Sequence, residues 1–166
     1  MMPVTVVDLG VRLSAPDSFI KQPKHSAFFI TINTNKGDTV CNARLLAHEL
    51  HNILKELFST IENIASILTF HNAGDTYEKI VKTDVEFVVE KGQDPRGGRV
   101  HAHVLIQFKH FTSIHINKYA LEEYVIRNIH TCPLDSVYIN IKSVGYAANL
   151  RSYFTKYTKD ALKSGK

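Results

Sequence analysis

Two histidines separated by one residue open the run His101-Ala102-His103-Val104-Leu105-Ile106-Gln107-Phe108. The remainder of the run is apolar and reads as a buried strand. Strand side chains alternate between faces, so His101 and His103 point the same way. Two imidazoles side by side on one face of an apolar strand are costly to bury unless something coordinates or hydrogen-bonds them. The pair is therefore a candidate metal site, and the fold has to bring it a third donor.

The preceding strand offers one. Asp84–Glu90 (DVEFVVE) reads as a strand, and Lys91–Arg99 (KGQDPRGGR) as a turn-rich loop, so a hairpin is the simple expectation. With Glu90 opposite His101, Val88 faces His103 and Glu86 faces Leu105. Glu86, Val88 and Glu90 share one face by strand period. Glu90 is then the carboxylate nearest both histidines, with Glu86 as the alternative one step further along. A carboxylate and two imidazoles suit Mn²⁺, Mg²⁺ or Zn²⁺ and leave positions open for water or phosphate oxygens. The same residues also occur as ordinary hydrogen-bonded histidines beside a solvated acidic face, so this constellation alone does not decide.

Along the rest of the chain, Val4–Val7 is a candidate short strand, and Ala27–Asn33 (AFFITIN) a β-branched and aromatic one. From about Asn42 to Phe70, Leu46, Leu50, Ile53, Leu57, Ile61, Ile64 and Leu68 recur at three- and four-residue steps. That spacing predicts one long helix, with Asn42 as N-cap and Asn72-Ala73-Gly74 as its stop. Asn117–His130 is a second helical pattern, Val137–Val144 an alternating strand, and Ala147–Leu162 a final helix. The order β-α-β-β-α-β-α predicts an α+β fold. Its core is a ferredoxin-like, RRM-like split βαβ unit: an antiparallel sheet with helices packed on one face.

The 166 residues fit one domain, 1–166, with a real core. The last residues stop without a terminating feature, as expected of a domain cut from a longer protein. No apolar run of about 18 residues is present, so no membrane span is expected. The N-terminus lacks the residue order of a signal peptide. Cys41 and Cys132 form no CxxC pair and suggest a reducing compartment without a disulfide framework. The net charge of +4 and pI near 9.0 are compatible with a nucleic-acid partner without demanding one. The chain lacks a GxxxxGK[ST] loop, so no helicase activity is expected in this segment.

Arg151-Ser152-Tyr153-Phe154-Thr155-Lys156-Tyr157-Thr158-Lys159-Asp160 is the second informative stretch. On a helix Tyr153, Lys156, Tyr157 and Asp160 fall on one side. A phenol with a pKa of about 10 is a poor nucleophile at neutral pH unless a nearby positive charge stabilises the phenolate. Lys156 is placed to supply that charge. Packing and solvation on an amphipathic helix explain the same residues.

In combination these motifs resemble the HUH endonucleases, in particular the nuclease domains of rolling-circle replication initiators (Rep proteins). Phe29-Ile30-Thr31-Ile32-Asn33 resembles the first motif. Val100–Phe108 resembles the metal-binding second motif, in the version found in small single-stranded-DNA viruses. Arg151–Lys156 resembles the catalytic Tyr-x-x-Lys. The resemblance spans about residues 27–160.

It implies metal-dependent nicking and joining of single-stranded DNA at a replication origin, through a 5′-phosphotyrosine intermediate. Glu90, His101 and His103 would hold one Mn²⁺ or Mg²⁺. Tyr153 would be the nucleophile, Lys156 would orient the phosphate, and Tyr157 would be a second nucleophile or a DNA-stacking residue. Arg96, Arg99, Lys109, Lys142 and Arg151 are candidate phosphate contacts, and Phe29 and Tyr138 candidate stackers. Full-length Reps usually carry a helicase domain after the nuclease. Localisation would be the host nucleus for a eukaryotic DNA virus, and the cytoplasm otherwise. Two other readings stand beside this one: an HUH transposase or relaxase, and a non-catalytic RRM-like module that binds single-stranded nucleic acid.

Overall fold

The computed structural model describes residues 3–11, 22–34, 42–91, 100–132, 134 and 137–146. They form a mixed α+β fold around a five-stranded antiparallel sheet. The strands are β1 (Thr5–Val11), β2 (Lys24–Asn33), β4 (Ile80–Lys91), β5 (Val100–His110) and β7 (Tyr138–Val144), in the order β1-β4-β5-β2-β7. β5 lies antiparallel between β4 and β2, so β2 and β4 run parallel to each other. The two histidines thus sit on the central strand.

Strand period divides the sheet into two faces. Phe28, Ile30 and Ile32 of β2, Val85, Phe87 and Val89 of β4, and Ala102, Val104, Ile106 and Phe108 of β5 belong to the main core. Helices α1 (Ala43–Leu57) and α3 (Lys118–Asn128) pack there. Leu46, Leu50, Ile53, Leu54 and Leu57 come from α1, and Leu121 and Val125 from α3. Their apolar stripes, not their intrinsic propensity, hold the helices in place. Asn42 caps α1 by accepting from the Leu45 N–H, and Asn117 caps α3 by accepting from Tyr119 and Ala120 N–H. The opposite face carries a small cluster of Phe29, Val88 and Leu105. No helix of the described residues packs on it.

The long helix expected over 42–70 is broken. α1 ends at Leu57, a short α2 covers Ile61–Ala65, and Leu68–Phe70 is strand β3, paired with β6 (Ile114–Ile116). The break lies in the polar residues between apolar positions. Ser59 Oγ donates to the Glu56 carbonyl, and Thr60 turns extended and caps α2 through the Asn63 N–H. Such side chains compete with the helical backbone for its hydrogen bonds. The apolar spacing continues past the break because α2 and β3 pack on the same core. Asn72–Gly74 closes a turn after β3, with Gly74 at φ +89°, and does not stop a helix.

Cys132 is buried and held in a disulfide, against the expectation of two unpaired thiols. The other cysteine, Cys41, lies outside the described residues, as does the helix expected over Ala147–Leu162. No helix among the described residues is long and apolar enough to cross a membrane.

Candidate metal centre

The β4–β5 hairpin adopts the register expected from its sequence. Glu90 pairs with His101, Val88 with His103, and Glu86 with Leu105. One ligand atom from each of Glu90, His101 and His103 lies within 4.8 Å of the others. The two imidazole centroids are 5.2 Å apart at 71°, an edge-to-face arrangement that turns both rings toward common space. Glu86 is buried on the same face but stands opposite Leu105 and is not part of this cluster.

Burial and charge fit the three side chains for a cation. His101 Nε2 lies 3.1 Å from Glu90 Oε2. The other oxygen, Glu90 Oε1, is buried and has no hydrogen-bond partner among the described residues. A buried carboxylate oxygen without a partner is costly, and a divalent cation is the kind of group that would satisfy it. The hydrogen bond to His101 holds the Glu90 carboxyl below its usual pKa, against the opposing effect of burial. Glu90 is therefore anionic at neutral pH. Burial pushes His103 down to about 4, helped by the neighbouring His101. His103 is then a neutral imidazole with a lone pair to donate, the form a metal requires.

β2 supports the centre from the other side. Thr31 pairs with His103 and Asn33 with His101. Thr31 Oγ1 lies 3.4 Å from His103 Nδ1. With the hydroxyl accepting from Nδ1–H, Nε2 is left as the donor nitrogen, as in metal-bound histidines oriented by an outer partner. The Phe29 ring stacks on His103, with centroids 5.6 Å apart and planes 19° from parallel. Phe29 is only 5% exposed, so it packs the centre and does not present an open ring. The sequence marks Phe29 and Thr31 as part of a motif but gives no sign that they hold His103. Their contact joins strands about 70 residues apart, which local periodicity does not encode.

The remaining expected site residues divide into two groups. Lys109 is half-buried at the far end of β5, while Lys142 and Tyr138 are exposed on the edge strand β7. Tyr153, Lys156, Tyr157, Arg96, Arg99 and Arg151 all lie outside the described residues. Comparison with models of known protein families, with curated proteins and with solved structures gives no match.

Proposed function

We propose that this chain is a metal-dependent, single-stranded DNA nicking and joining endonuclease of the HUH type, the nuclease domain of a replication initiator. One observation carries the reading. The hairpin register sets Glu90 against His101 with His103 on the same face, and a buried Glu90 oxygen has no hydrogen-bond partner among the described residues. The strand order β4-β5-β2-β7 supports it, because it is the order of a ferredoxin-like split βαβ sheet. The triad lies on the face opposite α1 and α3.

Glu90, His101 and His103 would hold one divalent cation, which when bound polarises the scissile phosphate and offsets charge on its oxygens. The other roles belong to the chain. Tyr153 Oη attacks phosphorus, forming a phosphotyrosine bond. The bond to the 3′ oxygen breaks, and that oxygen leaves as a 3′-hydroxyl. Attack by a 3′-hydroxyl on the phosphotyrosine restores the phosphodiester and frees the tyrosine. The covalent intermediate conserves the bond energy, so nicking and joining need no nucleotide cofactor. Lys156 balances charge on the phosphate, and Tyr157, four residues after Tyr153 in the sequence, is a second nucleophile or stacking residue. Thr31 and Phe29 keep the His103 ring in position.

The test is a covalent adduct. The protein is incubated with a diverse pool of single-stranded oligonucleotides and Mn²⁺, then run on a denaturing gel. The expected result is an adduct that disappears with chelator, with His103→Ala and with Tyr153→Phe. Wild type giving no adduct across the pool would sink the nuclease reading. An adduct that survives Tyr153→Phe but not Tyr157→Phe would move the nucleophile to Tyr157.

A further inference from the structure

The strand pairings set four side chains in one row across the sheet. Glu90 faces His101, His101 faces Asn33, and Asn33 faces Tyr138. Tyr138 therefore lies on the face of the metal triad, two strands from His101. At about 4.8 Å per strand that is about 10 Å. Among the described residues β7 is the last strand of the sheet, so Tyr138 stands where the triad's face meets that edge.

Three observations at that edge point to one kind of ligand. Tyr138 is 70% exposed, although its neighbour Ile139 is buried in the core. Lys118 Nζ, at the start of α3, is 6.0 Å from the centroid of the Tyr138 ring. Beside them runs a groove of about 400 Å³ between β7, β6 and the start of α3. Its walls include His115, Lys118, Tyr138 and Asn140 together with Phe28, Ile139 and Ile141 of the core face, so it runs along the β7 edge on the helix side of Tyr138, and none of its described lining residues is Asp or Glu. A lone exposed tyrosine is ordinary. An exposed ring in register with the candidate metal triad, beside a cation and at the mouth of a groove whose described walls carry no acid, suits a polyanion with flat bases. The groove is also large enough for a nucleotide-sized ligand.

We infer that this groove seats an unpaired nucleotide of single-stranded DNA flanking the phosphate at the triad, with its base stacked on Tyr138 and its phosphate paired with Lys118. The inference rests on the nuclease reading for the position of that phosphate, while the stacking itself is independent of cleavage. Base–aromatic stacking tolerates any base, so Tyr138 supplies affinity and alignment. Sequence choice at this nucleotide falls to the polar groups of the groove, Asn140 among them.

The test uses the whole chain in chelator, where no cleavage occurs. The probe is oligo-dT of about 15 nucleotides carrying 5-iododeoxyuridine, a length within single-strand site sizes. Irradiation is expected to crosslink the probe to Tyr138. Tyr138→Ala is expected to weaken binding about 5- to 100-fold. Tyr138→Phe keeps the ring and should bind within about 3-fold of wild type, which separates stacking from loss of fold. Wild type that does not bind the probe, crosslinks found only elsewhere, or unchanged binding by Tyr138→Ala would each overturn the inference. So would protection of β7 amides by a second copy of the chain and not by the probe, which would assign the edge to a protein strand. Binding that depends on Tyr138 without any covalent adduct supports the groove and removes the nuclease. An adduct with Tyr138-independent binding does the reverse.

Discussion

Glu90→Gln separates a metal ligand from a structural ion pair, because the two roles predict different signs. In the metal-free protein the carboxylate makes a hydrogen bond with His101 at 3.1 Å, and its other oxygen is buried with no partner among the described residues. Gln keeps the shape, weakens that bond and removes a poorly solvated charge. These effects oppose each other, and stability should change by no more than about 1 kcal/mol. Metal affinity has no such compensation. Partners that merely orient a ligand are worth 10–100-fold, so loss of a ligand itself should cost at least about 100-fold.

The consequence is measurable as a melting shift. At free Mn²⁺ near 100 times the wild-type Kd, binding stabilises wild type by about 2.7 kcal/mol and the variant by about 0.4 kcal/mol. For a chain of this size those values correspond to upward shifts of about 5–11 °C and about 1 °C. Thermal unfolding followed with and without Mn²⁺ reads both. The reasoning is refuted if wild type shows no metal-dependent shift, or if the variant keeps it. A metal-free variant destabilised by 2 kcal/mol or more would mark Glu90 as a structural partner of His101.

Three further outcomes follow from the same geometry. Thr31→Val removes the group facing His103 Nδ1 and should weaken Mn²⁺ binding about 10–100-fold by titration calorimetry, with the fold retained; unchanged affinity would remove Thr31 from the centre. Glu86→Gln should alter Mn²⁺ affinity far less than Glu90→Gln, since Glu86 faces Leu105; an equal loss would make Glu86 the ligand. The metal-free protein should lose stability on acidification. His103 falls from an ordinary 6.5 to about 4 on folding, so the unfolded chain takes up the proton first, and about 3 kcal/mol is lost between those pH values. Burial also lowers His110, which adds in the same direction, and Glu90 adds only below about 4.5. A melting temperature flat from pH 6.5 to 4 would contradict this.

The parts of the fold that were legible are those written locally. The β4–β5 register follows from alternation within some twenty residues, and the Asn42 and Asn117 caps from side chains that reach their own helix ends. The break after Leu57 was hidden because Ile61, Ile64 and Leu68 continue the helical spacing while belonging to other elements of the same core. Strands β3 and β6 have three residues each and pair across more than forty positions, too little pattern to read and too far apart to connect. The support of His103 by Thr31 and Phe29 was illegible for the same reason: it exists only once β2 lies beside β5.

The triad comes from a single hairpin, with all three donors inside Glu90–His103, while the residues that lock His103 arrive from β2, far upstream. On the proposed reading, capture and tuning of a cation are thus separable in time and in inheritance. A β4–β5 hairpin can gather the donors as soon as it forms, a low-entropy loop closure. Full affinity waits until β2 docks and fixes the ring. A cation present during folding would favour the hairpin first and the sheet around it second. The same hairpin could pass between scaffolds as a weak metal clip, and each new neighbouring strand would set how tightly it holds.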